Sequence, residues 1–466
     1  RCKMKCTSCG SENVVFMKFN GKWQCTDCGA AFNAAPSSSA NSVLNSRRNN
    51  SAAEGTAASG ASTNSASASS EAKRLTEEIA KSCDELQSLL STFTDIKELR
   101  AVEDKILSLS EQLAKIDSNN PYSKLLYCHQ LVGIAENEIP RDKKIAMECL
   151  EKCYKMMHEI NPNDITLASK LNMELVFYSG LCRYYSEDGD LSEAMRLGKI
   201  ALESGIELVH EKPNEQESLF GLVKLLVLLG DVATKAKDAN AAIDYYKQAV
   251  DFGTRLLDIN PNDVILLASL AHPLNKAGLS ALSNGDWVTA EKYLSEAVTI
   301  IHKMADVNGM FKREYAFTLT KLGTAKEEMD KLDEALQCYT MAMQITEELL
   351  AASPDDGKLK YNMCASYEQI GHIAELKHNY REAELLYRQS LEICRTNVKL
   401  GTRPFNEDAL ASSLYRLGAL PLQRKATDEQ KECLKEAMTI WKDLYDATGD
   451  IVYKKNYDFA KKALRR

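Results

Sequence analysis

Residues Gly230 to Pro261 read GDVATKAKDANAAIDYYKQAVDFGTRLLDINP, and this stretch decides the fold. Ala242 stands twelve residues after Gly230, Tyr246 four further on, and Ala249 three beyond that. Three-and-four spacing places these residues on one face of a helix. The arrangement recurs along the chain. Gly180, Gly230, Gly278, Gly323, Gly371 and Gly418 follow one another at intervals of 50, 48, 45, 48 and 47 residues. Ala290, Ala335 and Ala383 match Ala242; Leu294, Tyr339 and Tyr387 match Tyr246; Ala297, Ala342 and Ser390 match Ala249. Small residues where two helices cross, with a large one filling the gap between them, form a helix-turn-helix packing code.

The glycine, alanine, aromatic and alanine positions resemble the tetratricopeptide repeat, whose period is about 34 residues. Here the period is about 47, with glycine intervals of 45 to 50 residues. Ala249 to Pro261 and Ala342 to Pro354 each span twelve residues, and Pro261 to Gly278 and Pro354 to Gly371 each span seventeen. Each helix has thereby gained seven residues over the family pattern. Seven is close to two turns, so the apolar stripe keeps its face. Similar long repeats occur in arrays that resemble bacterial signalling proteins and, more loosely, kinesin light chain. The resemblance implies a mainly α fold, a right-handed TPR-like solenoid. Weaker units carry Ala146 and Leu150; Ala194 and Ala201 after a longer turn at Asp188-Gly189-Asp190; and Gln430, Leu434 and Ala437. About seven repeats therefore occupy 121–449, and 450–466 reads as a capping helix with a basic end.

Ahead of the repeats, Leu75, Ile79, Leu86 and Phe93 mark one helix, and Ile96, Leu99, Val102, Ile106, Leu109, Leu113 and Ile116 a second. Residues 71–118 thus form a helical hairpin or short coiled coil. Residues 34–70 are Ser, Ala, Asn, Thr and Gly with almost no large apolar side chain. Such a segment cannot offset its ordering entropy and reads as a flexible tether, with a random-coil span of roughly 30–37 Å.

Residues 4–33 carry Cys6-x-x-Cys9 and Cys25-x-x-Cys28, each pair followed by Gly. Four thiolates so spaced suit one tetrahedral, structural Zn2+. Between the pairs, Val14 to Gln24 reads as two short strands joined at Asn20-Gly21, and the segment resembles a zinc ribbon. Four thiolates leave no open position to activate water. Cys2 is set aside as a spectator, and Met4 is read as the natural translation start. Phe16, Phe19 and Trp23 interleave with Lys18 and Lys22. They could stack on single-stranded nucleic acid, but the favoured reading is that they cover the metal centre.

The net charge is −8, while residues 1–33 hold five Lys or Arg against two Asp or Glu. The remaining body is acidic, which argues against its binding nucleic acid nonspecifically and leaves any such contact to the ribbon. No apolar run approaches a membrane span and no charged-then-apolar leader opens the chain, so a cytoplasmic protein is expected. Nine cysteines scattered from Cys83 to Cys433 read as buried apolar residues. The seven histidines are dispersed, and no His-Glu-x-x-His, phosphate loop or nucleophile elbow is present. The chain does not read as an enzyme.

The resemblance implies that each repeat's first helix lines a concave groove, with positions six and three before the glycine and one and four after it facing inward. The groove residues so assigned are Phe177, Tyr184, Lys224, Asp231, Asn275, Phe317, Glu327, Glu368, His372 and Tyr415. The Lys-Asn-Asn-Lys-Arg clamp of chaperone-tail binders is not found at the matching positions. The expected function is a noncatalytic scaffold that binds a protein or peptide in the groove, with the ribbon as a second contact module. A nucleic-acid-associated regulator and a regulatory or sensor subunit of a separate enzyme are the alternatives. The oligomeric state is left open.

Overall fold

A computed structural model describes residues 14–17, 22–25, 31–33, 63–90, 95–399, 405–422 and 426–465. Near the N-terminus, β1 (Val14–Met17), β2 (Lys22–Cys25) and β3 (Ala31–Asn33) pair antiparallel in that order, with Val14 opposite Cys25 and Trp23 opposite Phe32. Cys6, Cys9 and Cys28 lie outside the described residues. The rest is helical, with seventeen α-helices among the described residues, and it divides into two compact units, 1–280 and 281–466.

In the first unit, α1 (Thr63–Leu90) and α2 (Ile96–Ile116) precede three pairs: α3 (Pro121–Glu138) with α4 (Lys143–His158), α5 (Leu167–Asp188) with α6 (Leu191–Glu211), and α7 (Gln216–Lys235) with α8 (Ala239–Ile259). The next helix, α9, spans Val264–Ser283. Leu75 and Ile79 of α1, Val102, Ile106 and Leu113 of α2, Leu131 of α3 and Leu150 of α4 share one core, so the leading hairpin is packed onto the first pair. Its stripe is buried only in the middle, since Ile96 and Ile116 at the ends of α2 are exposed. The first helix also begins at Thr63, inside the stretch expected to be a tether. Thr, Asn, Ser and Ala cost only a few tenths of a kcal/mol each once a helix is nucleated, so a strong segment extends backward through them.

The second unit holds α10 (Trp287–Val307), then α11 (Lys312–Glu328) with α12 (Leu332–Ala352), α13 (Gly357–Leu376) with α14 (Tyr380–Lys399), α15 (Phe405–Ala419) with α16 (Asp428–Thr448), and α17 (Ile451–Leu464). Ala383, Tyr387, Leu414, Leu434, Trp441 and Ala460 belong to one core, which joins α17 to the last pairs. All nine cysteines from Cys83 to Cys433 are buried and free. No described helix is long and apolar enough to cross a membrane.

The second helices show how the long repeat is built. On α8 the buried face is Ala242, Tyr246, Ala249, Gly253 and Leu256. On α10 it is Ala290, Leu294, Ala297, Ile301 and Met304, and on α16 Gln430, Leu434, Ala437, Trp441 and Leu444. All three follow offsets of four, seven, eleven and fourteen, so the stripe continues on the same face to the end of each helix. The turn inside each pair repeats as well. Gly189, Lys237, Gly285, Asp330 and His378 adopt φ of 96°, 61°, 75°, 60° and 62°. Such left-handed residues close a helix by letting the following N–H bond back to an orphan carbonyl. Asp238 N–H reaches Ala233, Asp286 Ala281, Lys331 Lys326 and Asn379 Ala374, at 2.8–2.9 Å. Asp190, Asp238 and Asp286 then cap the next helix at 3.0–3.1 Å.

The tightest constraint is where the two helices of a pair cross. A Cβ built on Gly323 would lie 2.6 Å from Tyr339 Cε1, and one on Gly371 2.7 Å from Tyr387 Cε1. Tyr246 lies against Gly230 in the same way. In α6 the tyrosine position is itself glycine, Gly198, and Leu229 of the following pair fills the space. We expect Gly323→Ala to lower stability by about 1–3 kcal/mol through overpacking. Gly133→Ala, where a Cβ meets nothing within 4 Å, should be neutral or gain up to about 1 kcal/mol. Urea midpoints followed by circular dichroism check both; equal shifts would remove the close approach as the cause.

Candidate functional site

The tyrosines that cover the glycines reach through to the face of the first helices. Tyr246 Oη donates to Asp231 at 2.6 Å, Tyr339 Oη to Glu327 at 2.7 Å and Tyr387 Oη to Glu375 at 2.9 Å. Each ring is at most 1% exposed, and burial pushes all three phenols up from their ordinary value. They therefore stay protonated and serve as fixed donors to carboxylates. Asp231 follows its glycine by one residue, and Glu327 and Glu375 follow theirs by four.

A second set of contacts links successive first helices. Glu136 on α3 meets Arg183 on α5 at 3.8 Å, and Asp231 on α7 meets Lys276 on α9 at 2.8 Å. In the second unit, Glu327 on α11 meets His372 Nε2 on α13 at 3.4 Å, and Glu368 on α13 meets Arg416 on α15 at 3.8 Å. His372 Nδ1 also stands 3.9 Å from Glu375, and with this neighbour as the first cause and the bond from Tyr387 as another, the Glu375 carboxyl is held below its usual range. Partly exposed pairs of this kind are each worth about 1 kcal/mol or less, so they set register more than stability.

Against this frame of contacts, the expected groove residues separate. Phe317 is 46% exposed, with Lys321 Nζ 5.3 Å from its ring centre, and Lys224 is exposed with its Nζ 5.9 Å from the Phe220 ring. Tyr184 is half-buried with its ring edge-on to Tyr185, and Tyr415 is half-buried beside Trp441. Asp231, Glu327 and His372 lie on the face but are already paired. Three assignments are corrected. Phe177 is 3% exposed, packed between Tyr154 and Tyr178; Asn275 is 8% exposed. Glu368 accepts hydrogen bonds from Ser390 and Ser413, and burial raises its pKa despite Arg416. All three occupy the position three before the glycine. At these three a neighbouring helix covers the side chain, whereas Tyr415, at the same offset from Gly418, is only half-buried.

Some polar residues gave no signal in the sequence reading. Glu103 on α2 and Glu138 on α3 are 3% and 1% exposed. Arg141 lies 3.6 Å from Glu103 and 3.4 Å from Glu138, and Arg100 lies 3.0 Å from Glu138. Burial, and then the charge of Glu138, raises the Glu103 carboxyl to about 7. Among the described residues, no cluster of three or more His, Cys, Asp or Glu could hold a metal.

The geometry is that of a TPR-like helical-repeat protein. A tetratricopeptide-repeat family profile matches residues 223–252, from the middle of α7 into α8. The mitochondrial import receptor subunit TOM70 of Saccharomyces cerevisiae is 25% identical over 257 residues, covering 48% of this chain and 38% of that protein. This chain thus spans well under half the length of the curated relatives it matches. Among solved structures, the apo form of RapI superposes with a TM-score of 0.49 at 11% identity, covering 85% of this chain and 97% of RapI. A putative kinesin light chain with nearly identical TPR-like repeats from Podosopora anserina gives 0.36 at 15% identity, covering 51% of this chain and 99% of that one.

Two outcomes follow from these contacts. Tyr339→Phe keeps the ring on Gly323 but removes the donor to Glu327, and should cost about 1–3 kcal/mol; an unchanged urea midpoint would make the bond irrelevant to stability. For Glu103, a folded-state value above the ordinary 4.5 means the folded protein holds a proton that the unfolded chain sheds. The stability contributed by this group is present below about pH 4.5 and lost as pH rises through about 7. Between pH 4.5 and pH 8 the wild type should therefore lose more stability than Glu103→Gln, and parallel pH profiles would refute the assignment.

Proposed function

We propose that this chain is a noncatalytic adaptor whose first-helix face binds a protein or peptide. Phe317 carries this reading: a large aromatic, 46% exposed, on the face where neighbouring acids are held in place by buried tyrosines. Exposed aromatic anchors set in an ordered polar surround are what partner-binding surfaces use. TPR-like folds generally serve as binding scaffolds, and the curated relative is by name a receptor subunit, which accords with a binding role. The cytoplasm is the compartment proposed, in line with the free buried cysteines.

The N-terminal segment is proposed as an auxiliary zinc ribbon holding one structural Zn2+ through Cys6, Cys9, Cys25 and Cys28. The register of the strands supports it. Because Val14 pairs with Cys25, the chain entering β1 and the chain leaving β2 meet at one end of the hairpin. Both Cys-x-x-Cys pairs flank that end in sequence. Any nucleic-acid contact would belong to this segment.

Capture of native partners on the full chain tests the adaptor reading. Phe317→Ala should weaken capture by about 1–3 kcal/mol if it anchors the partner, with helicity intact, whereas Lys247→Ala on α8 should change little. Capture indifferent to Phe317 and Lys224 but abolished by deleting residues 1–35 would place recognition in the ribbon. For the metal, the purified chain should hold one zinc, released by Cys25→Ser without loss of the helical signal. A metal-free wild type, or helices that melt on chelation, would count against the ribbon.

A further inference from the structure

The helix α17 is packed on one side only. Ala460 is buried, and Tyr453, Tyr457, Ala463 and Leu464 lie against the core of the last pairs. The other side faces solvent, and its composition is not that of an ordinary polar helix surface. Ile451, Val452 and Phe459 are 62%, 51% and 59% exposed. Lys454, Lys455, Lys461, Lys462 and Arg465 are exposed with them, against one acid, Asp458. With about 3.6 residues per turn, Val452, Lys455, Phe459 and Lys462 fall in one row, apolar and cationic in alternation. Ile451 stands beside its N-terminal end, and Lys454, Lys461 and Arg465 fall in a second row.

These cations differ from those on the adjoining helix. On α16, Lys431 pairs with Asp428 and Lys435 with Glu432. On α17 none of the five takes part in an ion pair among the described residues. Lys454 and Lys461 lie over the Tyr445 and Tyr457 rings instead. The helix dipole accounts for Lys461 and Lys462 in the last turn. It does not account for Lys454 and Lys455, because cations near a helix N-terminus oppose it. In a chain of net charge −8, this face gathers unpaired charge of the opposite sign.

The occupant of such a face must be anionic, must present many charges and must accept apolar side chains. From Lys454 to Arg465 the cations are spread along about 17 Å of helix, so a single phosphate or carboxylate meets only one or two of them. Nucleic acid supplies many charges but no apolar layer for Val452 and Phe459. A single helix face is convex and offers no recess for the anchor of a peptide. Anionic phospholipid supplies both halves, with phosphates at the level of the ammonium groups and an acyl boundary below them. Lysine stems bridge the two levels.

We propose that the outer face of α17 seats on an anionic phospholipid surface, its axis in the membrane plane. The 14 residues of α17 span about 21 Å, too short to cross a bilayer, so the helix lies on it. The proposal stands apart from the reading of the first-helix face and neither needs it nor alters it.

Flotation of the full chain with vesicles of phosphatidylcholine alone, or of phosphatidylcholine mixed with phosphatidylserine, tests it. The chain should float with the mixed vesicles only and be released as salt is raised. Replacing Lys455 and Lys462 together by Gln should lower partitioning at least about tenfold, and Phe459→Ser about fivefold. Lys247→Ala, an equal loss of charge from each position on α8, should leave it unchanged. All these positions are exposed, so melting curves should match the wild type. No flotation, equal flotation with both kinds of vesicle, or flotation that survives the double lysine change would overturn the proposal. Loss on the lysine change with none on Phe459→Ser would also overturn it, in favour of a purely charged partner such as an acidic polypeptide.

Discussion

The structure depends on the contact between a glycine of one helix and a tyrosine ring of its partner. At Gly230, Gly323 and Gly371 the absence of a side chain lets the ring come up against the backbone. That contact sets how closely the two helices approach. Every later position in the repeat inherits this distance. The small residues at Ala242, Ala335 and Ala383 are fully buried because the helices have already met. Where leucine replaces tyrosine, as at Leu434 against Gly418, the same close approach survives, but the polar bond to the first-helix face is lost. Packing and surface chemistry are therefore joined in one side chain.

The first-helix face is in turn a compromise between holding repeats together and leaving groups free for a partner. Asp231 and Glu368 spend at least part of their charge on the cation of the next first helix, and Glu327 faces the His372 ring there. What is left to recognise a partner is sparse: exposed Phe317, exposed Lys224 and half-buried Tyr184. A face so committed is rigid, and rigidity lowers the ordering entropy that binding must overcome.

Much of the fold was legible in the sequence, because helix packing leaves a periodic trace. Glycine at the crossing, alanine twelve residues on and a large residue four beyond that stand out against any background composition. The seven-residue extension was legible too, since Gly253 and Leu256 continue the stripe of α8. The inward positions were less so. Offsets from a glycine define an angle around a helix but not which neighbour covers that angle, and Phe177, Asn275 and Glu368 fell in the seam. The start of α1 was hidden because Thr63 to Ser70 has no apolar period.

The three buried phenols have an optical consequence. Tyr246, Tyr339 and Tyr387 are sealed from solvent yet bonded to carboxylates on the opposite side of the helix pair. The absorption and near-ultraviolet dichroism of a phenol respond to the strength of the bond its hydroxyl donates. A molecule that draws Glu327 or Glu375 toward itself would thus retune a chromophore that it never touches. The protein carries three internal indicators, in three of its repeats, that read the state of the face from behind it.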